Sequence, residues 1–370
     1  MQTQLVKKTA IIESGDFNLS ASRYLEKIEI NSDFQIVKLN EVIDYEQPNK
    51  YIVNDTNYND SYKTPVLTAG KTFILGYTDE IDGIFPDEKL PVIIFDDFTT
   101  ASKYVDFQFK VKSSAMKILH INRSKAIPLF IYHVMQDLKF DFNEHKRFWI
   151  SQYSNLEIPL PSLEIQKQIV KEIEEYQLVI DGCRQVVENY RPIIDIDPNW
   201  DFVEMDDFVN YRRGSTITKD SSIHGNIPVI GGGKKSSYYH NEANRTNNVI
   251  TISSSGANAG YVNYFDIPIF ASDCFTIESK DYSILSLLFL FYYLKTVQNQ
   301  IYLLQTGAAQ PHVYSSSFKN FKIPLPSIEA QKEIVQKIIE QRKVIEGNKE
   351  LINIYENKIK ARISKIWSDN

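Results

Sequence analysis

The sequence predicts an α+β protein: two mixed α/β domains separated by two long helices that form a coiled coil, arranged as an internal repeat. The first observation behind this is a repeated segment. Ile158-Pro-Leu-Pro-Ser-Leu-Glu-Ile-Gln-Lys-Gln-Ile-Val170 returns as Ile323-Pro-Leu-Pro-Ser-Ile-Glu-Ala-Gln-Lys-Glu-Ile-Val335, changed only at Leu163/Ile328, Ile165/Ala330 and Gln168/Glu333. The second is a heptad pattern after each copy, and the third is a strand-rich stretch of unrelated sequence before each. A period of this length marks a duplicated half-protein, since solenoid units are far shorter. The layout is an arm over 1–30, a variable unit over 31–158, a constant helix over 159–191, a second variable unit over 192–322 and a second constant helix over 323–370.

Each constant helix has a start signal. Proline is excluded from helix interiors, so Pro-Leu-Pro ends the preceding strand and leaves Ser162 and Ser327 as N-caps. Glu164 and Glu329 then fall in the first turn, where the helix dipole favours a carboxylate. In the first helix Ile169, Ile173, Tyr176, Ile180, Cys183, Val187 and Tyr190 alternate in steps of four and three, which is a heptad seam ending before Pro192. The second helix keeps the phase through Ile334, Ile338, Gln341, Ile345, Asn348, Ile352 and Tyr355, and runs on through Ile359 and Ile366. Gln341 and Asn348 make this copy polar at two seam positions. Such residues either fix register or face solvent as the helix drifts off axis. A seam this long needs a partner, and the other copy supplies one.

The repeat also opens each variable unit. Phe34-x-Ile36-Val37-x-Leu39 matches Trp200-x-Phe202-Val203-x-Met205, which predicts equivalent first strands. Further along, Pro65-Val66-Leu67 corresponds to Pro228-Val229-Ile230, and Val92–Phe95 corresponds loosely to Val249–Ile252. Short helical runs over Ile127–Leu138 and Ile284–Thr296 precede the constant segments. Between these elements the sequence diverges into loops.

The second unit has the richest loops. They contribute Arg212, Arg213 and Lys219; Lys234, Lys235, Ser236, Tyr238 and His240 after a triple glycine; Ser254, Asn258 and Tyr261 in a small-residue loop; and Gln310 and His312 in Thr306-Gly-Ala-Ala-Gln-Pro-His-Val313. The first unit offers Lys71, Thr72, Thr99, Thr100, Ser102, Lys103, Tyr104, Lys146 and Arg147. Asn and Gln can bind adenine edges in two-point fashion, Arg and Lys can bind guanine, and Lys and Ser hold phosphates. A single loop of this kind is more often a solvated turn; four in one unit shift the balance towards binding.

Composition narrows the classes. With 370 residues, 43% hydrophobic and 24% charged, the chain can build two or three ordinary cores. Its 22 Tyr and 21 Phe suit either recognition surfaces or strands. Two cysteines, Cys183 and Cys274, in different predicted elements fit a reduced cytoplasmic protein. No apolar run is long enough for a membrane span. A net charge of −6 lowers the expectation of nucleic-acid binding without removing it, because binding needs only a local basic surface.

No catalytic constellation stands up. Asp197-Pro-Asn-Trp200 resembles the Asp-Pro-Pro-aromatic motif of amino-methyltransferases, but its third position is wrong and it aligns with the repeat linker Asn31-Ser-Asp-Phe34. Gly231-Gly-Gly-Lys-Lys-Ser lacks phosphate-loop spacing, and the 6 His residues lack metal-ligand spacing. A catalytic role would have to use Asp96, Asp97 and Lys103.

The doubled Ile-Pro-Leu-Pro-Ser motif, each copy opening a long helix after a divergent domain, resembles the specificity subunit of Type I restriction–modification enzymes. Thr306–Val313 resembles the segment that ends many target-recognition domains of that family. The resemblance implies two target-recognition domains that each read half of a split, asymmetric DNA sequence. It also implies an antiparallel helix pair that sets the spacing and docks two methyltransferase subunits, with a restriction (motor-nuclease) subunit joining for cleavage. No cofactor would be bound in this chain: S-adenosylmethionine would belong to the methyltransferase partner, ATP and Mg to the restriction partner. The first helix, on the order of 40 Å at about 1.5 Å per residue, matches roughly one turn of B-DNA at about 3.4 Å per base pair. His145-Lys-Arg-Phe-Trp149 replaces the Gly-x-x-Gln-Pro pattern in the first unit, so base-reading residues transfer less directly there. The stretch Glu13–Tyr24 resembles the tail of an amino-methyltransferase subunit. The remaining reading is a protein-binding adaptor built from two diverged domains.

Overall fold

The computed structural model describes residues 33–68, 72–138, 148–192, 194–236, 238–307 and 309–367. The arm over 1–30 lies outside them. The chain divides into two compact units, one comprising residues 1–184 and 350–370 and the other residues 185–349. Both boundaries fall inside long helices.

The first unit begins with β1 (Gln35–Lys38), which pairs antiparallel with β9 (Glu157–Leu160). Between them lie two sheets. The four-stranded sheet has the order β2 (Ile43–Glu46), β8 (Met116–Ile121), β5 (Val92–Asp96) and β6 (Ser102–Val105), all antiparallel. In the three-stranded sheet β3 (Thr64–Leu67) pairs antiparallel with β4 (Ile74–Thr78) and parallel with the two-residue β7 (Lys110–Val111). Helix α1 (Pro128–Asp137) takes Pro128 in its first turn, where no N–H is missed, and packs on β5, β6 and β8.

Helix α2 (Leu163–Asn189) follows β9 directly. The main core lies where α1, the four-stranded sheet and α2 meet, and contains Phe95, Phe130, Trp149, Ile169 and Ile173, with Ile363 and Ile366 from the last helix. A second core, around Phe85, Phe109 and Met116, fills the space between the two sheets.

The second unit repeats this order element by element. β10 (Phe202–Glu204) pairs with β18 (Lys322–Pro324), and the four-stranded sheet runs β11 (Val209–Arg213), β17 (Cys274–Ser279), β14 (Val249–Ser253), β15 (Val262–Phe265). β12 (Ile227–Ile230) pairs antiparallel with β13 (Tyr239–His240) and parallel with β16 (Phe270–Ala271). Helix α3 (Leu287–Thr296) packs on β14 and β15, and α4 (Ile328–Ser364) follows β18. The expected correspondences of β1 with β10, β3 with β12 and β5 with β14 therefore sit at equal places in two equal frames.

The long helices run antiparallel within the first unit. Glu172 Oε2 accepts from Arg362 Nε at 2.6 Å, the Tyr176 and Tyr355 rings meet edge-on at 5.5 Å, and Arg184 pairs with Glu356 at 2.6 Å. The Tyr176 hydroxyl and Arg362 hold the Glu172 carboxyl below the usual range. Along α2, Ile169, Ile173, Ile180 and Cys183 are buried, while Tyr176 and Val187 are partly covered. Along α4, Ile338, Ile345, Ile363 and Ile366 are buried, and Ile334, Ile352 and Tyr355 are partly covered. The polar positions are not buried register pins. Gln341 is exposed and accepts from the Tyr190 hydroxyl at 3.4 Å within the second unit, and Asn348 donates to its own helix at Val344 O, 2.8 Å. Drift of the helix off the seam explains both.

The repeated glutamine does something the heptad reading does not show. Gln166 is fully buried; its Oε1 accepts from Ile127 N at 2.8 Å, and its Nε2 donates to Pro161 O at 2.8 Å and Lys125 O at 3.1 Å. Gln331 repeats the pattern, accepting from Ser286 N at 2.8 Å and donating to Pro326 O at 2.9 Å and Ile284 O at 2.8 Å. Ile127 and Ser286 are the N-caps of α1 and α3. One side chain thus ties the start of each long helix to the start of the domain helix beneath it, through backbone groups alone.

The first unit also contains a buried ion pair. Lys117 Nζ lies 3.3 Å from Asp97 Oδ2, both side chains almost fully covered, and Asp97 Oδ1 accepts from Trp149 N at 2.9 Å. The ammonium also lies over the Tyr45 ring at 5.6 Å.

Two stability outcomes follow. Gln331→Leu strands one N–H and two carbonyls and should cost about 2–5 kcal/mol at roughly 1–3 kcal/mol per stranded buried group, allowing for some relief by water; a urea midpoint equal to wild type would contradict the clamp. Asp97→Ala leaves Lys117 buried and unpaired, at about 3–5 kcal/mol. The double variant Asp97→Ala/Lys117→Met should recover part of that loss in the same titration.

Candidate nucleic-acid interface

In the second unit the register of the antiparallel sheet brings several loops to one edge. Arg213 lies opposite Phe275, and Ser253 opposite Cys274, so the end of β11, the start of β17 and the end of β14 coincide. The loop 254–261 is anchored there by Ser254 N donating to Asp273 O at 3.1 Å and Gly260 N donating to Ser253 O at 2.8 Å. In the loop 306–313, Thr306 and His312 exchange backbone bonds of 2.9 and 2.8 Å. Its turn depends on Gly307, whose φ of +94° is accessible to few other residues. The two loops are joined by Gly256 N to Pro311 O and by Val313 N to Ser254 O, each 3.0 Å.

The glycine loop 231–233 completes the group. A Cβ on Gly232 would lie 2.7 Å from Ser255 O, so only glycine allows this approach. Ser255 Oγ in turn bonds Asp273 Oδ2. Asn263 Nδ2 donates to Lys234 O at 3.3 Å, fixing the backbone beside β15.

Several expected residues meet on this edge. Lys234, Lys235 and Gln310 are exposed, and Ser254, Asn258, Tyr261 and His312 are partly covered. The His312 ring stacks on Tyr314 at 5.9 Å and 10°. Arg212 and Arg213 are exposed on β11, with their backbone carbonyls held by the buried Arg245: its guanidinium donates to Arg212 O at 3.1 Å, to Arg213 O at 2.8 Å and to Thr276 Oγ1 at 2.8 Å. Lys219 is exposed in the separate turn 218–222.

Other expected readers are internal. His240 is buried, its Nδ1 accepts from Ile223 N at 3.1 Å, and its ring meets Phe270 edge-on; it closes the β12–β13 pair and is not available to a ligand. Tyr238 is half-buried with its hydroxyl given to Ile217 O at 2.7 Å, and Ser236 Oγ donates to Tyr238 O at 2.8 Å. These two hold the loop's shape.

The first unit keeps the frame with a shorter turn. Asp97 N donates to Ala115 O, and Phe148 N donates to Asp97 O at 2.9 Å, as Val313 N does to Ser254 O. Thr99 and Lys103 are exposed, and Thr100 adopts a φ of +58° in the turn after β5. Tyr104 is half-buried beside Tyr132, and burial raises its pKa. Thr72 is exposed before β4. Ser102 is buried and accepts from Gln136 Nε2 at 2.7 Å, which removes it from the candidate surface. Lys71, Lys146 and Arg147 lie outside the described residues.

The possible catalytic trio does not assemble. Asp96 Oδ1 caps its own turn through Phe98 N and Thr99 N, while Asp97 is committed to Lys117 and Trp149. Among the described residues no cluster of His, Cys, Asp and Glu could hold a metal, and no helix is long and apolar enough to cross a membrane.

Sequence patterning missed Lys295, on α3. Its ammonium lies 4.2 Å from the Tyr261 ring centroid, and that of Lys234 lies 5.4 Å from the same ring. Burial, together with the charge of Lys234, holds the Lys295 pKa below the usual lysine range. The available signal was a lone lysine in an otherwise apolar helix.

Comparison with known proteins agrees with this architecture. The family model for the Type I restriction modification DNA specificity domain matches residues 31–182 and again 198–356. The specificity subunit of the Type I restriction enzyme EcoR124I/EcoR124II of Escherichia coli is 48% identical over 168 residues, covering 43% of this chain and 42% of that protein. The specificity subunit of the Type I restriction enzyme MjaVIII of Methanocaldococcus jannaschii is 25% identical over 193 residues, 49% of this chain and 45% of its own length. Each match therefore spans less than half of the relative. In fold, the S subunit of the Type I restriction-modification system of M. genitalium superposes with a TM-score of 0.55 at 16% identity, covering 93% of this chain and 98% of that one. A chain solved in work on assembly and conformational transition of the type I R-M system gives 0.55 at 19% identity, covering 90% and 97%. With two matched copies over most of its length, the chain belongs to the family of Type I restriction modification DNA specificity domains.

Proposed function

We propose that this chain is the DNA-reading subunit of a Type I restriction–modification complex, and that it does no chemistry itself. The observation that supports this best is the use of one sheet edge twice: the same backbone frame, with different loops, ends β14 in one unit and β5 in the other. Each unit would read one half of a split, asymmetric target in duplex DNA. In the second unit the reading groups would be Arg212, Arg213, Lys234, Lys235, Asn258, Gln310 and His312, with Lys219 as an outlying phosphate contact. In the first they would be Thr99, Thr100, Lys103 and Tyr104, with Lys71, Thr72, Lys146 and Arg147 as further candidates. Bases are read by two-point amide and guanidinium contacts, and phosphates by lysines.

The domain organisation would follow the sequence boundaries, with α2 and α4 as the spacer. The partners would be two methyltransferase subunits, which bring S-adenosylmethionine, and a restriction subunit, which brings ATP and Mg. A complex of this kind acts on DNA in the cytoplasm.

Sequencing the methylated positions in DNA treated with the assembled methyltransferase tests this reading directly: a bipartite motif is expected, and methylation without a motif would refute it. Removing one heptad from both α2 and α4 takes out about 10 Å at about 1.5 Å per residue. The spacer should shorten by about 3 base pairs while both half-sites stay the same; altered half-sites would end the ruler idea. Gln310→Ala should weaken discrimination at one base pair of one half-site by about 1–3 kcal/mol, leaving the other half-site unchanged in a binding competition.

A further inference from the structure

Two ammonium groups, with no acidic partner among the described residues, converge on one aromatic ring in the second unit. Lys295 Nζ lies 4.2 Å and Lys234 Nζ 5.4 Å from the Tyr261 centroid. Three separate elements bring them there: α3 carries Lys295, the glycine loop carries Lys234, and the small-residue loop ends at Tyr261.

Neither position is accidental. Lys234 is held by Asn263 Nδ2 on its carbonyl. Lys295 Nζ donates to Val262 O and Gln298 Oε1, both at 3.3 Å, and Gln298 itself braces the same loop by accepting from Val262 N and donating to Gly260 O. An ammonium has three N–H donors, so Lys295 keeps one beyond these two bonds. Among the described residues no carboxylate pairs with either lysine.

Like charges held together cost free energy unless a counter-charge arrives. The ring face offsets part of that repulsion, and an aromatic ring beside two cations is a stiff platform with little side-chain entropy to lose. Burial and the neighbouring Lys234 disfavour the charged form of Lys295. An oxyanion placed between the two ammonium groups would reverse that balance.

We propose that Lys295, Lys234 and the Tyr261 ring form a seat for one backbone phosphodiester of the DNA duplex, fixing the second unit in register with the groove its loops enter. This rests on the DNA-reading assignment above and adds a positioning residue, Lys295, to it. The seat carries no sequence information; it sets where the reading groups of the neighbouring loops fall.

The test uses the full chain and a mixed-sequence duplex of about 30 base pairs, with binding measured across a salt series by fluorescence anisotropy. For each phosphate neutralised, the slope of log K against log salt is about 0.9. Lys295→Gln should lower the slope by about that amount and weaken binding equally on unrelated sequences. Lys295→Arg should keep the slope, and Lys280→Gln, a lysine at the opposite end of β17 bonded to Asp206 O, should leave it unchanged. Thermal melts of each variant separate unfolding from loss of contact, and Lys234→Gln gives a second, solvent-exposed probe of the same seat. A steep wild-type slope that survives in both glutamine variants would overturn the seat while sparing the function. A wild-type chain with no salt-dependent affinity for duplex DNA would overturn both.

Discussion

The fold depends on a buried amide used twice. Gln166 and Gln331 each satisfy three backbone groups at the junction where a strand leaves, a domain helix begins and a long helix starts. A helix N-terminus and a chain reversal leave orphan donors and acceptors, which a covered junction satisfies from within the protein. A glutamine with one acceptor and two donors closes that account. Leucine could not, and glutamate would set a carboxylate against two carbonyl oxygens. The constancy of the Pro-Leu-Pro-Ser-x-Glu-x-Gln stretch is therefore a joint as much as a helix start, with Ser162 and Ser327 capping and the glutamine locking.

Above that joint the two units share a frame and differ in what they present. The pairing of β5 with β8 matches that of β14 with β17, and the same backbone bond ties the following loop to a later segment in both. In the first unit that position is Asp97, and its carboxylate is consumed by Lys117 and Trp149. In the second it is Ser254, which carries no charge, and the residue after it, Ser255, lets the glycine loop approach closely at Gly232. One substitution class thus separates a closed, charged corner from an open one.

The sequence shows the elements with local signals and hides those made by distant pairing. Helix starts at Pro-Leu-Pro-Ser, the α2 seam and the β-branched runs of β5 and β14 all follow from short-range chemistry. The two-residue strands β7 and β16 have no pattern of their own, since each exists only by pairing in parallel with β3 or β12. For the same reason His240 looks like a loop reader and is in fact the wall of a hairpin. Gln166 looks like one more polar helix residue, and Lys295 like a lysine that merely snorkels from an apolar helix; only the fold shows what surrounds each. Gln341 misleads in the other direction, because a strict heptad count places it inward after the helix has turned it to solvent.

Arg245 has a consequence of a different kind. The residue is 4% exposed, and the bonds its guanidinium makes run to the carbonyls of Asn244, Arg212 and Arg213 and to the Thr276 hydroxyl, all neutral acceptors. Mobile ions screen exposed charges within about 10 Å at 0.1 M salt, and buried ones far less. The strand carrying Arg212 and Arg213 therefore has a positive charge beneath it that counterions cannot reach. As ionic strength rises and the surface arginines are screened, the buried bonds that hold the Arg212 and Arg213 carbonyls keep their strength, so the strand end keeps its shape when its charge has faded.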